Sequence, residues 1–181
     1  MLKNAKPYEQ ELKEKMDATV YDPKYQWASG SWGNDFWSMP ENSYDSRVFV
    51  SVNDKDEVIG VILYQFKVSC MRVDGLCAMS FAEGGDKWIY GQDLRQCIDD
   101  MFRIYNFHTV EWHCYEDNPA LKGYLAYLKR CGGRVVGKRH SVSRLLDGKV
   151  HNDYIFEIMR MDYMGSRMGK YMSRQKGSGI K

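Results

Sequence analysis

The chain predicts an α+β domain in which strands pair as hairpins and two longer helices pack on the resulting sheet. Residues 108–115 alternate strictly, with Val110, Trp112 and Cys114 on one face and Thr109, Glu111, His113 and Tyr115 on the other. That is the period of a half-buried strand. Leu94, Cys97, Ile98, Met101, Phe102 and Tyr105 recur at i, i+3, i+4, i+7, i+8 and i+11, the clearest helical face in the sequence. Between 107 and 140 the order is strand, Asn-Pro, helix, Gly-Gly, strand.

Each element has its own local reason. Pro7 to Met16 reads as a short polar helix with a solvated face. Residues 22–46 set Trp27, Trp32, Phe36, Trp37 and Met39 among Gly, Ser, Asn and Pro without a period, so a loop carrying large apolar groups is expected. Arg47 to Val52 places Val48, Val50 and Val52 on one face, and Glu57 to Phe66 follows across the turn Asn53-Asp54-Lys55-Asp56. Gly75 to Phe81 is a third strand, closed by Glu83-Gly84-Gly85 ahead of the long helix. After the strand at 108–115, Asn118 is a favoured N-cap and Pro119 suits the first helical position. Leu121, Tyr124, Leu125 and Leu128 form the apolar face of that helix, and Gly132-Gly133 its left-handed stop. Arg134 to Leu145 and a last strand containing Asp153, Tyr154 and Glu157 form a hairpin over Asp147-Gly148.

Composition is that of a globular chain of one domain, with 44% apolar and 28% charged residues. Cysteines 70, 77, 97, 114 and 131 form no CxxC and no His/Cys cluster, so no metal site is expected. With no apolar run near membrane-spanning length, they lead us to expect a reducing, cytoplasmic setting and no membrane partner. From Met164 onward there are five basic residues and no acidic one. We expect one domain over 1–163 and a basic, flexible tail over 164–181. The tail is the sole argument for nucleic acid, and a homo-oligomer is left open.

The unit at 107–140 resembles the C-terminal half of the GNAT acyltransferase superfamily, in its ribosomal-protein alanine acetyltransferase branch. The residues that carry the resemblance are Asn118 after a strand, Gly132-Gly133 after a helix, Gly137 and His140 beyond it, and Asp153 and Tyr154 in the final hairpin. It spans roughly residues 48–163 and is one of pattern more than identity. It implies a mixed, mostly antiparallel central sheet with helices on both faces, and transfer of an acetyl group from acetyl-CoA to a small-molecule or protein amine.

The resemblance also implies site residues. Coenzyme A would sit on Ala82, Lys87, Trp88, Ile89, Tyr90, Gly91 and Gln92, where main-chain amides and the start of a helix can meet its pyrophosphate. Trp88 and Tyr90 stand where that family has small glycines. Asn118 is either a further cofactor contact or a plain cap, and Tyr124 lines the same site. Tyr127, off the apolar stripe, is the preferred acid for the leaving thiolate, and Glu83 is the candidate base. The alternative is a fold that has lost catalysis and serves as a binding or assembly module, of phage or mobile-element origin.

Overall fold

A computed structural model describes residues 1–29 and 44–177. Trp32, Phe36, Trp37 and Met39 of the expected aromatic loop lie outside the described residues. The strands are β1 (Leu2–Asn4), β2 (Ser46–Val52), β3 (Val58–Lys67), β4 (Arg72–Val73), β5 (Cys77–Ser80), β6 (Thr109–Tyr115), β7 (Arg134–Arg144) and β8 (Val150–Met159). The helices are α1 (Glu9–Asp17), α2 (Gln26–Ser29), α3 (Asp86–Arg103), α4 (Leu121–Cys131), α5 (Arg160–Gly165) and α6 (Arg167–Gly177). The strands form one sheet in the order β1-β2-β3-β4-β6-β8-β7, with β5 also on β3. Among the described residues every pairing is antiparallel except that of β4 with β6.

Alternation along β2 and β3 gives the sheet two apolar faces. Val48, Val50, Val52, Val58 and Val61 pack with Leu12 and Met16 of α1. Ile62, Tyr64 and Phe66 pack with Val110, Trp112 and Phe156 against Cys97, Ile98, Met101 and Phe102 of α3 and Leu128 and Cys131 of α4. Helices therefore cover both faces, as the resemblance implies. The stripe read from Leu94 to Phe102 is the buried side of α3, while Tyr105 lies beyond its end and is exposed.

Two local expectations need correction. The segment after Met164, expected to be a flexible tail, is helical over Arg167–Gly177 and buries Met168 and Met172 in the main core. Met164, Met168 and Met172 stand four residues apart, so an apolar face was present among the charges. Arg103 of α3 donates to Gly169 O at 2.6 Å, which fastens α6 to the long helix. Second, α4 begins at Leu121 rather than at Pro119. Asn118 Oδ1 accepts from Ala120 N at 2.8 Å and Asn118 O from Leu121 N at 2.9 Å, so Asn118 closes a turn ahead of the helix. The expected Gly132-Gly133 stop is present, and glycine is required at 133, where a Cβ would lie 2.4 Å from Leu128 Cδ2 and 3.0 Å from Glu157 O. The preceding Gly132 takes the left-handed cap at φ 76°.

Candidate active site

The sheet opens in the middle. β4 joins β3 on one side and β6 on the other, but its parallel pairing with β6 consists of Arg72↔Thr109 and Val73↔Val110. At Asp74–Leu76 the chain leaves β6, and β5 continues in the same direction bonded to β3. Beyond Val110, β6 is bonded to β8. Among the described residues nothing bridges β5 to the second half of β6, so two parallel strands part as they run towards their C-terminal ends. Each then leads into a helix, β5 into α3 through Glu83-Gly84-Gly85 and β6 into α4 through Glu116 to Ala120. The cleft between them is where an α/β sheet ordinarily takes a ligand.

Tyr90, Tyr124 and Trp112 form the floor of this cleft. Tyr90 turns inwards from α3 and lays its ring on Gly60 of β3, where a Cβ would lie 2.3 Å from Tyr90 Cε2. Glycine at 60 is thus the notch that admits the ring. The Tyr90 hydroxyl is buried without a hydrogen-bond partner, in electrostatic range of Tyr124 of α4 and Cys77 beside it on β5. Trp112 projects from β6 with its ring 6.0 Å from that of Tyr124, and its indole N–H is also buried and unpaired. Two donors without partners in one place are unusual, since each costs about 1–3 kcal/mol unless something else supplies the bond. Burial raises the phenol pKa of both tyrosines, so Tyr124 stays protonated at neutral pH.

The sequence-predicted residues divide around this floor. Trp88 does not obstruct the cleft: it is 66% exposed, with Arg95 stacked over its ring at 5.3 Å. Gly84 and Gly85 open onto empty space, where an added Cβ would meet nothing within 4 Å. Lys87 is exposed beside them, and Ile89, Gly91 and Gln92 are half-buried in the first turns of α3. Ala82 is buried and donates its amide to Ser80 Oγ at 3.2 Å. Fewer main-chain amides are free at this helix start than the resemblance implies. Asp86 N already donates to Glu83 O and Trp88 N to Gly85 O, each at 3.0 Å, because the first turn closes on itself.

Tyr127, preferred as the acid, lies away from the cleft. Its hydroxyl is buried in range of Tyr163, Cys131, Arg95 and Asp99, on the side of α4 that meets α3 and the C-terminal helices. Leaving the apolar stripe turned it into that second contact instead of towards the strands. Tyr124, read as a lining residue, packs from α4 on Trp112 of β6 at 6.0 Å and is in electrostatic range of Cys77 of β5. Glu83 is exposed at the mouth, its carboxylate 3.5 Å from Lys24 Nζ.

Sequence reasoning missed Cys77, Gly60 and Trp112 as parts of the floor, and His151 at the mouth. No local pattern marks them, since they come together only through strand register. The sole hint was the spacing of four between Asp147 and His151. Among the described residues no cluster of three His, Cys, Asp or Glu could hold a metal ion. No helix there is long and apolar enough to cross a membrane.

Parted parallel strands, flanked by helix starts and backed by helices on both faces, are the GNAT-like architecture that the sequence resemblance implies. Solved structures agree. The spermidine N-acetyltransferase of Vibrio cholerae in complex with CoA and spermine superposes with a TM-score of 0.70 at 15% identity, over 91% of this chain and 97% of that one. A mutant of that enzyme gives 0.66 at 15%, over 91% and 95%. Its complex with manganese ions gives 0.59 at 18%, over 68% and 71%. No protein-family model and no curated protein matches the sequence.

Proposed function

We propose that this protein is an acetyl-CoA-dependent N-acetyltransferase acting on a primary amine. The observation that carries the reading is the separation of β5 from β6 after Val73↔Val110, which leaves a cleft with unpaired donors on its floor. The bound co-substrate would supply an activated acetyl thioester. Gly84, Gly85, Lys87 and the start of α3 would hold its anionic end. Ala82, Ile89, Gly91, Gln92 and Asn118 would flank it, with Trp88 outside and Tyr90 beneath. Asp86 shares that helix end and opposes a phosphate there, so Lys87 is the compensating charge.

Tyr124 is the acid. Its phenol, kept neutral by burial, gives a proton to the departing sulfur as the amine nitrogen bonds to the acetyl carbon and the C–S bond breaks. The proton lost by the amine leaves through water to Glu83 at the mouth. Tyr127 takes no part. The alternative of a catalytically lapsed module is not favoured, because its chief support was that Trp88 and Tyr90 block the cofactor loop.

A polyamine is the acceptor we favour, by analogy with the solved neighbour that holds spermine. The second reading, a ribosomal-protein N-terminal amine, rests on Asn118, Gly132 and Gly137 alone. We place the protein in the cytoplasm, with the long outer strand β7, exposed over most of its length, as the surface through which copies would associate. Titration calorimetry and thermal shift with acetyl-CoA test the proposal. Binding adds about 2.7 kcal/mol of stability at a hundredfold excess over Kd. Absence of both heat and shift at millimolar ligand overturns it. Mass spectrometry of spermidine and peptide amines then separates the acceptors.

A further inference from the structure

His151 at the start of β8 is 4% exposed and has a carboxylate on each ring nitrogen. Nδ1 lies 2.8 Å from Asp117 Oδ2, in the turn between β6 and α4. Nε2 lies 3.1 Å from both oxygens of Asp147, in the turn between β7 and β8. Ionised carboxylates only accept, so both contacts are hydrogen bonds only when the ring carries a proton on each nitrogen. The ring also meets Trp27 of α2 edge-on at 5.3 Å and Tyr115 of β6 at 6.4 Å. Asp147 N donates to Gln26 Oε1 at 3.1 Å, and Trp27 reaches Tyr115 at 6.4 Å.

The same short segment is fastened on the other side of the cleft. Tyr25 packs on Phe81, just past the end of β5, at 6.1 Å, and Lys24 pairs with Glu83. Residues 24–27 therefore span the mouth from the β5 side to the β6–β8 side. The β5 side is held by a ring contact and an exposed ion pair, and exposed pairs contribute little. The β6–β8 side depends on the buried histidine.

We propose that His151, as an imidazolium clamped between Asp117 and Asp147, is the positioning residue that seats Trp27 and so sets the acceptor side of the cleft. The acceptor role rests on the acetyltransferase reading; the clamp does not. The groups facing the ring are Asp117, Asp147 with Lys149 bonded to it through its amide, and the Tyr115 phenol, which donates to Ser143 Oγ. From α2 come Gln26 and Trp27, neither of which titrates. Hydrogen bonds to Asp147 and Asp117 raise the pKa of His151 above its ordinary value near 6.5. The clamp is accordingly intact below pH 6.5 and released as pH rises through the raised value. Amine acetylation needs the opposite, since a protonated amine is no nucleophile, so acceptor affinity falls on the alkaline side while chemistry improves.

The experiment uses the full chain labelled with nitrogen-15. The His151 ring signals should show protons on both nitrogens at pH 6.5 and titrate above that pH. The Trp27 indole signal should shift with the same midpoint. His151→Gln should move the Trp27 signal at every pH and raise the acceptor KM at least fivefold, with kcat and acetyl-CoA affinity little changed. Asp147→Asn, which keeps an acceptor oxygen, should lower the His151 midpoint and serves if His151→Gln does not fold. A His151 midpoint at or below the ordinary value, or a Trp27 signal that ignores it, overturns the clamp. Absence of acetyl transfer with both titrations as expected overturns the function reading and leaves the clamp standing.

Discussion

Replacing Tyr90 by phenylalanine removes one atom, and the structure gives that atom two opposed effects. The Tyr90 hydroxyl is buried and unpaired beneath the cleft. An orphaned group of this kind costs about 1–3 kcal/mol, so the ligand-free variant should be more stable by about 1 kcal/mol. For a chain of 181 residues that raises Tm by roughly 2–4 °C. A thioester carrier seated above the ring would give the wild-type hydroxyl the partner it lacks. Losing one neutral hydrogen bond of about 1 kcal/mol should then weaken acetyl-CoA roughly fivefold in Tyr90→Phe. Differential scanning fluorimetry with and without acetyl-CoA, with calorimetry for Kd, reads both effects. A higher Tm with unchanged Kd would show that the hydroxyl faces packed core and not the ligand. A lower Tm would show that it has a partner already, and the account of the floor would fail.

Tyr124→Phe should lower kcat by about a hundredfold or more with acetyl-CoA Kd little changed, whereas Tyr127→Phe should leave kcat near wild type; steady-state kinetics decides between them. Met172→Ala, or truncation after Tyr163, should destabilise the fold, the single substitution by about 2–5 kcal/mol, as read by urea unfolding with α3 signals lost in the same transition. Glu116, bonded by Lys138, Asn152 and Tyr154, has its carboxyl depressed from 4.5 to about 2. Its contribution is present above pH 4.5 and lost as pH falls towards about 2. Glu116→Gln should therefore flatten acid unfolding in that window, followed by circular dichroism.

Much of the fold was legible because its signals are local. The alternation at Val48, Val50 and Val52 and at Val110, Trp112 and Cys114, and the stripe from Leu94 to Phe102, each reach the core as the period requires. The candidate site was legible only as a region. Tyr124 and Tyr127 lie on different sides of α4, one in range of Cys77 and Cys114 and the other of Tyr163 and Asp99, and which side meets the strands is decided by packing with distant parts of the chain. Asn118 satisfies a cap pattern and a turn pattern equally, and the chain chose the turn. In the C-terminal segment, charge density hid the spacing of Met164, Met168 and Met172. The floor of the cleft joins Gly60, Cys77, Tyr90, Trp112 and Tyr124 across distant parts of the chain, and no window of sequence contains them.

The two ends of α3 differ in how freely they can drift. Gly84 is held to glycine by its φ of 51°, but at Gly85 a side chain could be added into empty space, so lineages can re-tailor that part of the rim at little thermodynamic risk. One turn further in, Tyr90 is keyed to Gly60, and at the far end Arg103 is tied to Gly169. Changes there must come in matched sets. Diversification of this scaffold should accordingly be written in its lip, with the interior inherited as a block.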